Sequence, residues 1–91
     1  MSVIKKYSAT SWHCQGCIQL QKLLDSLPEE LTSSVESVDI DTVPRPELAD
    51  LKIRGVPLLV AFDSQGQELG RLQGVPTKEV LEKFLGSYAT N

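Results

Sequence analysis

Metal-ligating side chains are scarce in this chain, and so are basic excess and long apolar runs; each scarcity removes a class of function. The 91 residues hold one histidine and two cysteines. Zinc takes four ligands, so with His13 the only soft ligand besides the cysteines, a structural zinc site within one copy is not expected. Nine basic side chains against twelve acidic ones leave a net charge of −3. That balance gives no electrostatic footprint for nucleic acid, and the one small basic cluster, Lys5-Lys6, carries no functional weight here. No apolar run is long enough to span a membrane, and no charged-then-apolar leader opens the chain. Repeats and low-complexity tracts are absent as well. The expectation is a cytoplasmic monomer, with residues 1–91 forming a single domain around one modest core. In that compartment a purely structural disulfide is unusual, which favours a catalytic or metal-binding use of the cysteines.

Both cysteines stand in Trp12-His13-Cys14-Gln15-Gly16-Cys17. A strand-like segment precedes this stretch and an amphipathic one follows it. Cys14 is thereby expected at the first turn of a helix, where unpaired N–H groups and the helix dipole favour negative charge. A thiolate is the species that attacks disulfides, so the placement favours a nucleophile. Cys14 is the expected exposed nucleophile, and Cys17, one turn further in, the shielded resolving thiol. His13 either stabilises the Cys14 thiolate when protonated or is a solvated loop residue. Trp12 is either a core aromatic or a flat rim for a substrate chain, with a partly exposed indole expected.

The rest of the chain supplies the frame. Val3 to Ala9 reads as a strand, and Gln15 to Leu27 as a helix with Leu20, Leu23, Leu24 and Leu27 at helical spacing, stopped by Pro28. Val35 to Asp41 alternates as a strand, and Pro44-Arg45-Pro46 opens a short helix running to Lys52. After the connector Ile53-Arg54-Gly55, the near-continuous apolar run Leu58 to Phe62 reads as a central strand. Asp63 to Gly66 forms a hairpin loop, Gln67 to Gln73 the return strand with a bend or bulge at Gly70, and Thr77 caps a last helix. The order β-α-β-α-β-β-α predicts an α/β fold: the first two strands parallel, the last two a hairpin, one mixed four-stranded sheet flanked by helices.

Those residues resemble the thioredoxin family over about Lys5 to Tyr88. Trp12 with the Cys14/Cys17 pair is similar to the family's active-site helix start. Ile53 to Phe62 is similar to its connector into a cis-proline, and Gly66 and Gly74 fall at its hairpin and post-strand glycines. The first strand and helix of fuller members have no counterpart, which leaves the minimal thioredoxin-like core shared with glutaredoxins. The resemblance implies a cis Val56–Pro57 bond, substrate contact through Trp12, Val56 and Pro57, and a redox-active Cys14–Cys17 disulfide with no bound cofactor and no metal. It implies disulfide-containing protein substrates and an electron donor, either a flavin-dependent thioredoxin reductase or glutathione. Gln15-Gly16 between the cysteines matches neither the Gly-Pro of thioredoxins nor the Pro-Tyr of glutaredoxins. Ser8 stands where thioredoxins bury a carboxylate six residues before the first cysteine, so Ser8 and His13 become the candidates for tuning thiol pKa values. The glutathione-holding Gly-Gly-x-x-Asp of glutaredoxins is replaced by Asp63-Ser64-Gln65-Gly66.

The function expected is thiol–disulfide exchange with partner proteins. A redox-switched protein-binding subunit is the alternative from another class. A third reading is a dimer bridged by a metal or iron–sulfur centre through the pooled cysteines of two copies.

Overall fold

The computed structural model describes residues 2–9 and 14–88, so Trp12 and His13 fall outside the described residues. In chain order the elements are β1 (Val3–Ser8), α1 (Gln15–Asp25), α2 (Glu29–Thr32), β2 (Val35–Asp39), α3 (Arg45–Asp50), β3 (Leu58–Phe62), β4 (Glu68–Gln73) and α4 (Lys78–Tyr88). The sheet order is β2-β1-β3-β4. β1 lies parallel to β2 and antiparallel to β3, and β3 pairs antiparallel with β4. This is the mixed four-stranded sheet that the order of elements predicts.

Several element ends depart from the sequence reading: β1 stops at Ser8 instead of Ala9, α3 at Asp50 instead of Lys52, and β4 starts at Glu68 instead of Gln67. Three further departures have a local physical cause. Helix α1 ends at Asp25, two residues short of Leu27, where the Ser26 N–H turns back to the Leu23 and Lys22 carbonyls. A four-residue helix, α2, follows Pro28. The second strand stops at Asp39 instead of Asp41, because the Asp39 carboxylate accepts the Asp41 N–H at 3.0 Å and starts a 3-10 turn over Ile40–Thr42. Aspartate competes for backbone donors in this way and so ends regular structure.

Strand β3 is buried at all five positions, as a continuous apolar strand covered on both faces must be. Side chains alternate across a strand, so β1 and β3 feed two apolar clusters. Ile4, Leu59 and Ala61 meet Leu20 and Leu24 of α1 and Leu81 and Leu85 of α4 on one face. Tyr7, Leu58, Val60 and Phe62 form the second cluster on the opposite face, against Leu51 and Ile53 at the end of α3. Each fully buried aliphatic side chain contributes about 1.5–3 kcal/mol, and among the described residues seven large side chains are fully buried.

Lys6 lies on the α1 face of β1, only 7% exposed. Its ammonium donates to the Gln21 side-chain carbonyl, and the Gln21 amide donates to Asp25 at 2.8 Å. Burial lowers the Lys6 pKa, with Asp25 opposing the shift. Arg71 of β4 reaches the far end of α3: its guanidinium donates to Leu51 O at 2.7 Å and Lys52 O at 3.2 Å while paired with Glu68. The hairpin turn uses Gly66 at φ +81°, a region that glycine enters without steric cost. The irregularity expected at Gly70 falls beside it: Gly70 pairs with Ala61 and Glu68 with Phe62, which leaves Leu69 as the extra residue of a bulge.

Candidate active site

Helix α1 begins where β1 hands the chain over, and Cys14 is its N-cap. The Cys14 backbone is extended, and its Sγ accepts the Cys17 N–H at 3.1 Å. A sulfur thus occupies the place that a serine or aspartate oxygen commonly takes at a helix start, satisfying one of the unpaired first-turn donors. The two cysteines form a disulfide with Cα atoms 5.3 Å apart. Their exposure is the reverse of the sequence expectation: Cys14 is 7% exposed, and Cys17 is half-buried. The N-cap position explains the difference, since it draws the Cys14 side chain back over the first turn and onto the Cys17 amide.

The connector before β3 faces this disulfide turn. The Val56–Pro57 peptide is cis. Gly16 has so little room against Pro57 that a Cβ there would lie 2.9 Å from Pro57 Cδ and 3.3 Å from Val75 Cγ2. The segment after β4 closes the third side. Gly74, at φ +81°, donates its N–H to Pro57 O at 3.0 Å. Ile18 and Val75 remain exposed beside this junction, at 42% and 41%.

The structure therefore brings Cys14, Cys17 and Pro57 together, with Gly16 as the point of contact. Val56 is half-buried beside Pro57, and no described residue hydrogen-bonds to its backbone. Ser8 ends β1 on the face shared by Ile4 and Lys6, half-buried and in register with Asp39. Gly16, Gln73 and Val75 were not singled out as site residues from sequence. The close approach at Gly16 is non-local, and glycine carries no chemistry to flag it. Gln73 looks like an ordinary polar residue of an edge strand. Among the described residues, no group of three or more His, Cys, Asp or Glu side chains could hold a metal ion. None of the described helices is long and apolar enough to cross a membrane.

A profile of the thioredoxin-like domain matches residues 7–89 of the chain. This protein belongs to the thioredoxin family. A thioredoxin from Porphyra purpurea is 33% identical over 76 residues, covering 82% of this chain and 70% of the relative. One from Pyropia yezoensis is 30% identical over the same shares. Among solved structures, a mutant thioredoxin from Halobacterium salinarum superposes with a TM-score of 0.76 at 24% identity, covering 99% of this chain and 76% of that one. A Malassezia sympodialis thioredoxin gives 0.75 at 21% identity, with 98% and 76% covered. The two structures share the fold, and the sequence relatives together with the disulfide make this thioredoxin-family member a thiol–disulfide oxidoreductase acting on protein disulfides.

Proposed function

We propose that Cys14 is the attacking thiol and Cys17 the resolving one, in an exchanger that carries two electrons between partner proteins and a reductase. In the reduced protein the Cys14 thiolate attacks one sulfur of a partner disulfide, and the other partner sulfur leaves as a thiolate that takes up a proton. Cys17 then loses its proton and attacks the Cys14 sulfur. The second partner thiolate is expelled, and the Cys14–Cys17 disulfide carries away the oxidising equivalent. The observation that carries this reading is the N-cap geometry: a helix N-terminus and the Cys17 amide at 3.1 Å both favour negative charge on the Cys14 sulfur.

Trp12, Val56 and Pro57 form the surface on which the partner chain rests, with the Val56 backbone pairing with an extended segment as an added strand would. Ser8 and His13 modulate the thiols. Serine cannot act as a base near neutral pH, so the Cys17 proton leaves by way of water, His13 or the departing thiolate. The cysteine pair is its own redox group, with no other bound cofactor. The electron donor is a flavin-dependent thioredoxin reductase or glutathione. We place the protein in the cytoplasm as a monomer, with residues 1–91 acting as one domain.

Reduction of a protein disulfide by the wild-type chain and by Cys14→Ser and Cys14→Ser/Cys17→Ser variants tests the proposal. Both variants should lose all turnover. A variant that keeps most of its function in the host cell would instead favour a docking subunit in which the dithiol only switches affinity.

A further inference from the structure

Gln73 is the last residue of β4, in register with Leu58 at the start of β3. Its side-chain amide nitrogen lies 3.3 Å from Gly55 O and 3.2 Å from Pro57 O. Both neighbours are carbonyl oxygens, so the donor end of the carboxamide faces the connector and its two protons serve one carbonyl each. Those carbonyls sit on either side of Val56. Pro57 O also takes the Gly74 N–H at 3.0 Å, and the proline ring abuts Gly16. The polar groups flanking Val56 are thus occupied from the β4 side, while the Val56 backbone itself bonds to no described residue.

We infer that Gln73 is a positioning residue for the partner chain: its carboxamide straddles Val56 and fixes the connector so that the Val56 backbone is presented to an extended peptide beside the disulfide. This rests on the reading that Val56 pairs with substrate backbone. The chemistry needs a side chain with two donors on one nitrogen at this length. Glutamate has the same shape with acceptors only, and would set a carboxylate against two carbonyl oxygens. Methionine has similar reach and no donor.

The test uses reduced wild-type protein with Gln73→Glu and Gln73→Met variants, and three disulfides. These are a short extended peptide linked through its cysteine, the same peptide N-methylated at the amides flanking that cysteine, and hydroxyethyl disulfide, which has no peptide backbone. Wild type should prefer the unmodified peptide over the N-methylated one about fivefold or more in kcat/KM, the scale of one lost hydrogen bond. Both Gln73 variants should raise KM for the unmodified peptide more than they lower kcat. Both should also bring its kcat/KM close to that of the N-methylated peptide. If wild type discriminates and the variants discriminate equally well, the role of Gln73 is overturned while the Val56 pairing stands. If wild type treats the two peptides alike, the Val56 pairing fails and the inference fails with it. A parallel loss on all three disulfides would make Gln73 a general structural residue and overturn the inference.

Discussion

Gly70 of β4 lies directly under the phenol of Tyr88 at the end of α4: a Cβ at position 70 would sit 2.7 Å from the Tyr88 hydroxyl oxygen and 3.1 Å from Cζ. The ring also makes an edge-to-face contact with Phe84, with centroids 5.0 Å apart. Gly70→Ala should therefore destabilise the fold by about 1–3 kcal/mol, the usual cost of forcing an extra carbon into a filled space. Denaturant unfolding of Gly70→Ala and of Gly70→Ala/Tyr88→Leu checks the assignment. The double variant should recover part of the loss measured against Tyr88→Leu alone, and strict additivity would deny the contact.

A methyl group at Gly16 meets the Pro57 ring, which is closed onto the backbone. Gly→Ala inside a helix ordinarily gains about 0.5–1 kcal/mol. Here the 2.9 Å approach to Pro57 Cδ opposes that gain. We expect Gly16→Ala to melt below the wild type and to lose several-fold in kcat/KM toward protein disulfides. A variant with raised melting temperature and unchanged turnover would show that the Pro57 connector yields freely.

The two thiols should separate by reactivity. Alkylation of the reduced protein at mildly acidic pH should label Cys14 faster than Cys17, because the thiolate reacts and the helix start favours it at Cys14. This is expected although Cys14 is the more enclosed of the two in the disulfide form. Cys17→Ser should accumulate mixed disulfides with partners, since the resolving attack is gone. Faster labelling of Cys17, read by peptide mass mapping, would exchange the two roles.

The pH dependence of stability should carry a signature of Lys6. Burial lowers its pKa in the folded protein, so the folded chain releases this proton before the unfolded chain does near 10.5. Between the lowered value and 10.5 the unfolded state binds more protons, and stability rises with pH. The Lys6→Met variant lacks that slope. The wild type should gain stability relative to Lys6→Met as pH is raised from 7 toward 10, and two parallel curves would mean that the ammonium is fully solvated.

Much of this architecture is legible in the chain because the signals are local. Leu58 to Phe62 announces a central strand by being apolar throughout, and the cysteine pair announces a helix start by standing between a strand pattern and a leucine stripe. The lost detail is of two physical kinds. Glu29–Thr32 is a single turn, too short for periodicity to register, and Asp39 ends its strand through a side-chain bond that alternation does not encode. The rest is non-local. Lys6 reads as half of a small basic cluster without a role, yet it is the lysine that the strand turns toward α1. Gln73 acts on carbonyls 16 and 18 residues earlier in the chain. Ser8 is legible as a position on β1, while its chemistry depends on neighbours that sequence spacing does not name.

Arg71 and Gln73 are two apart on β4, and each grips the segment between α3 and β3, one at Leu51 and Lys52, the other at Gly55 and Pro57. An outermost strand, ordinarily the first part of a sheet to fray, thereby serves as the bracket for the loop that faces the disulfide. Opening of β4 and release of that loop become one event. In hydrogen exchange, amides of β4 and of the 51–57 segment should then open as a single cooperative unit, with the redox turn losing its facing wall each time that unit lets go.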